Sequence, residues 1–110
     1  MENITTILSS EVKKYAGSGR GANIRLFALL DDEHRTYAVN AVSYPRTERN
    51  KYAGVVVLAR ISGDKIIIEI EEDATDKPLY EALLQQGIPR ERIVLAYAGE
   101  KIPDANYYTA

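Results

Sequence analysis

The chain offers one histidine, His34, and it stands at the end of the polar run Asp31-Asp32-Glu33-His34. One imidazole beside three carboxylates is a donor set that a divalent cation can use, since oxygen and imidazole ligands both occur in such sites. Consecutive residues of a hairpin turn point in different directions into solvent, however, so the plainer reading is a solvated turn. A Ser-His-Asp site would have to bring Ser9, Ser10, Ser18, Ser43 or Ser62 to the same imidazole, and no sequence context links them. No catalytic residue and no metal ligand set is expected.

Three other stretches invite a chemical reading. The glycine-rich Gly17-Ser18-Gly19-Arg20-Gly21 resembles an anion-binding loop in composition, but such loops leave a strand and open a helix. This one leaves a helix and enters a strand, which makes it a hinge or helix cap. Glu69, Glu71, Glu72, Asp73 and Asp76 form an acidic run. Glu69 and Glu71, two apart on a strand, should share one face, and paired carboxylates can do acid and base work. A solvated sheet face leading into a helix N-terminus explains them more simply, and that face would suit a basic partner. Finally, eight tyrosines against one phenylalanine favour half-buried positions and interfaces. Arg46, Arg49 and Lys51, between Tyr44 and Tyr52, could form a small nucleic-acid platform of only three charges.

These residues need a frame. Ile4, Ile7, Leu8, Val12 and Tyr15 recur at helical spacing, with Asn3 or Thr5 as cap and Gly17 as stop. From Ile24 the period drops to two: Ile24, Leu26, Ala28 and Leu30 face one way, Arg25, Phe27 and Leu29 the other. Residues 36–44 form a second strand and 52–62 a third, whose Val-Val-Val-Leu-Ala centre suggests burial on both faces. Gly63 turns the chain into an antiparallel fourth strand, 65–72. Thr75 or Asp76 can cap a second helix with Pro78 in its first turn, Gly87 fits the position after its end, and Pro89 forbids continuation. Residues 93–97 make a fifth strand. Beyond Ala98 the tail needs a surface for Tyr107 and Tyr108. The predicted fold is α+β: an N-terminal helix, a mainly antiparallel sheet of about five strands, and a second helix before the last strand.

At 110 residues the chain is one domain long, and at 45% hydrophobic and 27% charged it has the composition of a folded, soluble protein. It has no cysteine, which excludes thiolate nucleophiles, thiolate metal sites and disulfides. No cofactor is expected. The first twenty residues lack an apolar secretory core and no run approaches a membrane span, so a cytoplasmic location is expected. Net charge is −2, distributed as +1 over residues 1–50 and −3 over 51–110. Such a balance does not favour tight DNA binding through the phosphates.

Residues 63–97, GDKIIIEIEEDATDKPLYEALLQQGIPRERIVLAY, resemble the XisI family, small cyanobacterial proteins named after the fdxN element excision controlling factor. Asp73, Thr75 and Asp76 stand on that family's Asp-Gly-Thr-Glu motif, with Ala74 replacing its glycine. Gly87, Ile88, Pro89, Ile93, Val94 and Leu95 stand on its Gly-(Val/Ile)-Pro…Ile-Val-Leu motif, where Arg90 and Arg92 replace the usual Lys and Asp. Ile67 stands where tryptophan is common, and the tail lacks the family's Arg-x-Tyr pattern. The matching positions are mainly structural. The resemblance implies an accessory protein that acts with an XisH-like companion in controlling excision of a DNA element. Glu69, Glu71, Glu72, Tyr107 and Tyr108 are then candidates for the partner surface. Direct DNA binding through the sheet face or through Arg46, Arg49 and Lys51, and a small enzyme using His34, are the alternatives. Tyrosine-rich sheet edges also leave room for a homodimer.

Overall fold

The computed structural model describes residues 3–18, 24–43, 53–72 and 78–104. Asp73, Thr75, Asp76, Arg46, Arg49, Lys51, Tyr107 and Tyr108 lie outside them. Helix α1 (Ile4–Lys13) begins where the Asn3 side chain accepts a hydrogen bond from the Thr5 N–H at 2.8 Å. That bond satisfies one of the first-turn donors that no helical carbonyl can reach. Its apolar stripe, Ile4, Ile7, Leu8 and Val12, is buried as the spacing predicts. Instead of running to the glycine, α1 closes at Lys14, and Gly17–Ser18 form a two-residue strand, β1.

Strands β2 (Ile24–Asp31), β3 (Thr36–Ser43), β4 (Ala53–Ser62) and β5 (Lys65–Glu71) follow as a meander, each antiparallel to the last. The sheet order is the chain order, β1 to β6, and only the last pairing, β5 with β6 (Ile93–Leu95), is parallel. A parallel neighbour needs a crossover. Helix α2 (Leu79–Gln85) supplies it.

The stop after α2 is the arrangement the sequence announces. Gly87 has φ +94, the Ile88 N–H donates to the Leu83 carbonyl at 3.1 Å and the Gly87 N–H to the Leu84 carbonyl at 3.0 Å. Two orphan carbonyls are thereby satisfied, and Ile88 folds back into the core. The start differs from expectation. The N-cap position is Pro78, not Thr75 or Asp76, and proline has no side-chain acceptor. Glu71 at the end of β5 takes the cap's place, accepting the Leu79 N–H at 2.8 Å.

Both helices lie on one face of the sheet. Ile7, Leu8 and Val12 of α1 and Leu79 and Leu83 of α2 share one core with Leu26, Tyr37, Val39, Ala59, Ile66 and Ile68. Two bulges interrupt the alternation. Asn40 opposes Val55 while Val39 opposes Val57, so Val56 is the extra residue, and both Val56 and Val57 are buried. The valine run thus reflects a bulge that turns two neighbours inward, not a strand equally buried on both faces. A second register shift falls beside Leu58, with Leu58 opposite Ile70 and Ala59 opposite Ile68, which makes Glu69 the extra residue.

Candidate partner-binding site on the helix-free sheet face

The face away from the helices is where charged and apolar groups meet. Arg60 of β4 points to it, because its neighbours Ala59 and Ile61 belong to the helix-side core. Its Nε donates to Glu69 at 2.7 Å, and its two terminal nitrogens donate to the Asp104 carboxylate at 2.6 and 3.0 Å. The fork geometry of guanidinium suits this two-pronged contact. The Arg60 side chain is only 16% exposed. Paired this way, Arg60 has its pKa raised, mainly by the Asp104 bond, and Asp104 is held below the usual carboxylate range by Arg60.

Residues 102–104 are thereby strapped across the sheet. Beside the strap lies a shallow, open depression of about 550 Å³ lined by Thr36, Leu58, Arg60, Glu69, Ile70 and Ile102. Its charges are already matched with one another, and its remaining walls are largely aliphatic. Such a site offers a shallow apolar socket with a polar rim, on which a partner side chain can rest. Ile67, the cross-strand partner of Arg60, is fully buried on this same face.

The acidic residues do not form the single surface their spacing suggests. The bulge at Glu69 breaks the period of two: Glu69 faces Arg60 on the open side, while Glu71 lies opposite the core residue Val57 and caps α2 on the helix side. Burial raises the Glu71 pKa, and the Leu79 N–H offsets part of that rise. Glu72 is exposed and its N–H donates to the Val56 carbonyl at 2.8 Å. The expectation that Glu69 and Glu71 share one face is therefore corrected.

Asp31, Glu33 and His34 do place ligand-type atoms within 4.8 Å of one another in the β2–β3 turn, all exposed. His34 Nδ1 lies 2.8 Å from Asp31 Oδ2, and the His34 N–H donates to Asp31 Oδ1 at 3.1 Å. The second of these is the larger cause of a lowered Asp31 pKa. The turn is also tied to the core, because the buried Tyr37 donates its hydroxyl to Asp32 at 2.7 Å. Burial, with that bond, pushes the Tyr37 hydroxyl up to about 12. The carboxylates of Asp31 and Asp32 thus serve the geometry of the hairpin.

The arginines that depart from the resembled motif have structural tasks. Arg90 donates to the Ile93 carbonyl and to Glu100, each at 2.6 Å, and Glu100 accepts the Leu95 N–H at 2.9 Å. Arg92 donates to the Asp64 carbonyl at 2.9 Å, joining the β5–β6 end to the Gly63 turn. Gly87, Ile88 and Ile93 of the motif are stop and core; Pro89 is exposed, and Val94 and Leu95 are half-buried in β6. Sequence reading missed Arg60, Asp104 and the buried Glu11. Glu11 accepts from Lys14 at 2.8 Å and from Gln86 of α2 at 3.1 Å. A lone arginine between buried strand neighbours was the one signal available for Arg60. Among the described residues no helix is long and apolar enough to cross a membrane.

A family model described as XisI protein matches residues 1–109. No curated protein matches the chain. Two solved structures, both from Anabaena variabilis ATCC 29413, are similar to it. A XisI-like protein has a TM-score of 0.61 at 24% identity, covering 96% of this chain and 87% of its own. The fdxN element excision controlling factor XisI has a TM-score of 0.63 at 17% identity, covering 93% of each chain. At these identities the likeness is one of fold.

Proposed function

The chain belongs to the XisI family, and from that premise we propose that it is a non-catalytic accessory protein in the control of site-specific DNA element excision, working by contact with an XisH-like protein. The observation that carries this reading is the socket beside the Arg60 strap. It is aliphatic where a partner side chain would rest, and the charges at its rim are mutually paired, so it suits binding more than proton transfer. A solved structure with this fold is named as the fdxN element excision controlling factor, which supports placing the chain in excision control. Of the described arginines, Arg60, Arg90 and Arg92 donate to protein oxygens, which at those positions favours a protein partner over DNA phosphates.

Co-expression with an XisH-like protein tests the proposal. A complex should be captured at low salt, and Ile102→Asp, which puts a charge into the socket wall, should weaken it by about tenfold or more while the variant still melts cooperatively. Failure to capture any complex at low salt would refute the reading. Capture that Ile102→Asp leaves untouched would keep the partner and move its site elsewhere.

A further inference from the structure

Among the described residues, four large hydrophobic side chains are conspicuously exposed, and three belong to one strand: Phe27 at 46%, Leu29 at 53% and Leu30 at 41%. That strand is β2, which pairs with β1 only at Leu26 and Arg25. From Phe27 to Asp31 no described strand lies on its outer side. Phe27 and Leu29 project from the helix-free face, whereas Leu30 pairs with Tyr37 on the helix side. A partner docking flat on the sheet would cover the first two and leave Leu30 wet. An added strand along the edge would cover all three and also use the free backbone groups.

We propose that a second copy of this chain occupies that edge, β2 pairing antiparallel with the partner's β2 about a twofold axis to join the two sheets into one. The strand is complementary to its own reverse. Arg25 lies toward one end and Asp31, Asp32 and Glu33 at the other, so antiparallel pairing brings Arg25 toward the acidic end of the second copy. Between them, residues 27–30 carry no charge and no proline, the devices that usually keep edges apart. Cross-strand partners always face the same side of a sheet, so the axis must fall on a residue and not between two. Leu29 is the middle of the free stretch. With the axis there, Phe27 faces the partner's Asp31 and Ala28 the partner's Leu30, while Arg25 reaches the partner's Asp31 along the diagonal. One five-residue edge is smaller than the about 800 Å² per partner of a standard interface, so the dimer should be concentration-dependent. This inference is independent of the excision partner.

The native chain has no cysteine, which makes a clean test available. Sedimentation of the full chain from about 1 μM to about 1 mM should show a monomer–dimer equilibrium. Leu29→Lys should weaken it at least about tenfold by setting like charges face to face, with the melting temperature measured at low concentration unchanged. Leu29→Cys should oxidise to a covalent dimer faster than the control Glu81→Cys, placed on the exposed side of α2. A chain that stays monomeric across the range overturns the proposal, as does a dimer that ignores Leu29→Lys or a Leu29→Cys no quicker to cross-link than the control. Monomers throughout, with Leu29→Lys abolishing capture of the XisH-like protein, would assign the edge to that partner instead.

Discussion

Glu71 holds two opposed effects in one side chain. Burial disfavours its charge and raises its pKa above the ordinary 4.5, while the Leu79 N–H and the start of α2 favour the charge. Burial is the larger, so the folded state holds the Glu71 proton more tightly than the unfolded chain does. The stability this group adds is therefore fully present below about pH 4.5 and is lost as pH rises through the elevated folded value. Glu71→Gln keeps an oxygen to accept the Leu79 N–H and removes the charge. At neutral pH the variant should be as stable as the parent or up to about 1 kcal/mol more so, and the two should converge as the solution is acidified. Thermal melts of both across the acid range measure it. A variant clearly less stable at pH 7 would mean that the helix end, not burial, governs this carboxylate.

At the scale of elements, the consequential contact joins residues far apart in the chain. Arg60 on β4 holds Glu69 on the β5 bulge and Asp104 beyond the last strand, with its side chain mostly shielded. Arg60→Met strands two carboxylates together and should cost about 1–3 kcal/mol. Asp104→Asn should cost less, because Arg60 keeps Glu69 and because Asp104 is a third exposed. Asp104 has a folded pKa below its ordinary 3.8, so its contribution is present above that value and disappears as pH falls through the lower one. Urea denaturation of the two single variants and the double variant should give a clearly non-additive cycle. Additivity would mean that the pair is not coupled in solution. The same contact marks the limit of what the sequence discloses. Elements with local signatures were legible: the α1 stripe, the period of two in β2, the Gly63 turn, and the Gly87-Ile88-Pro89 stop. Those decided by distant partners were not. Nothing local reveals that Ile93 pairs parallel to Ile66, that Gly17 joins the sheet, or that bulges at Val56 and Glu69 would send Glu69 and Glu71 to opposite faces. The candidate socket was legible only through Glu69, because its arginine and its strap come together from 44 residues apart.

The whole molecule is a sheet with two unlike sides, and adjacent isoleucines compare them. Ile68 lies in the core beneath the helices, and Ile67 points the opposite way, yet both are fully buried. On the helix side that burial comes from α1 and α2. On the other side Ile67 lies across from its cross-strand neighbour Arg60, which in turn holds Asp104. If residues 102–104 are as integral to the fold as the helices, the two positions should respond alike. Ile68→Ala and Ile67→Ala should then each cost about 2–4 kcal/mol, the range for emptying a closed aliphatic site. Were the strap a loose appendage, water would reach Ile67, and its truncation would cost under about 1 kcal/mol, as at exposed positions. Equilibrium unfolding in urea separates the cases, and combining Ile67→Ala with Asp104→Asn sharpens them. A strap that seals the site makes the two losses interdependent, because releasing Asp104 opens the space that Ile67 fills. Independent losses, with Ile67→Ala near zero, would confine the cooperative core to the helix side of the sheet.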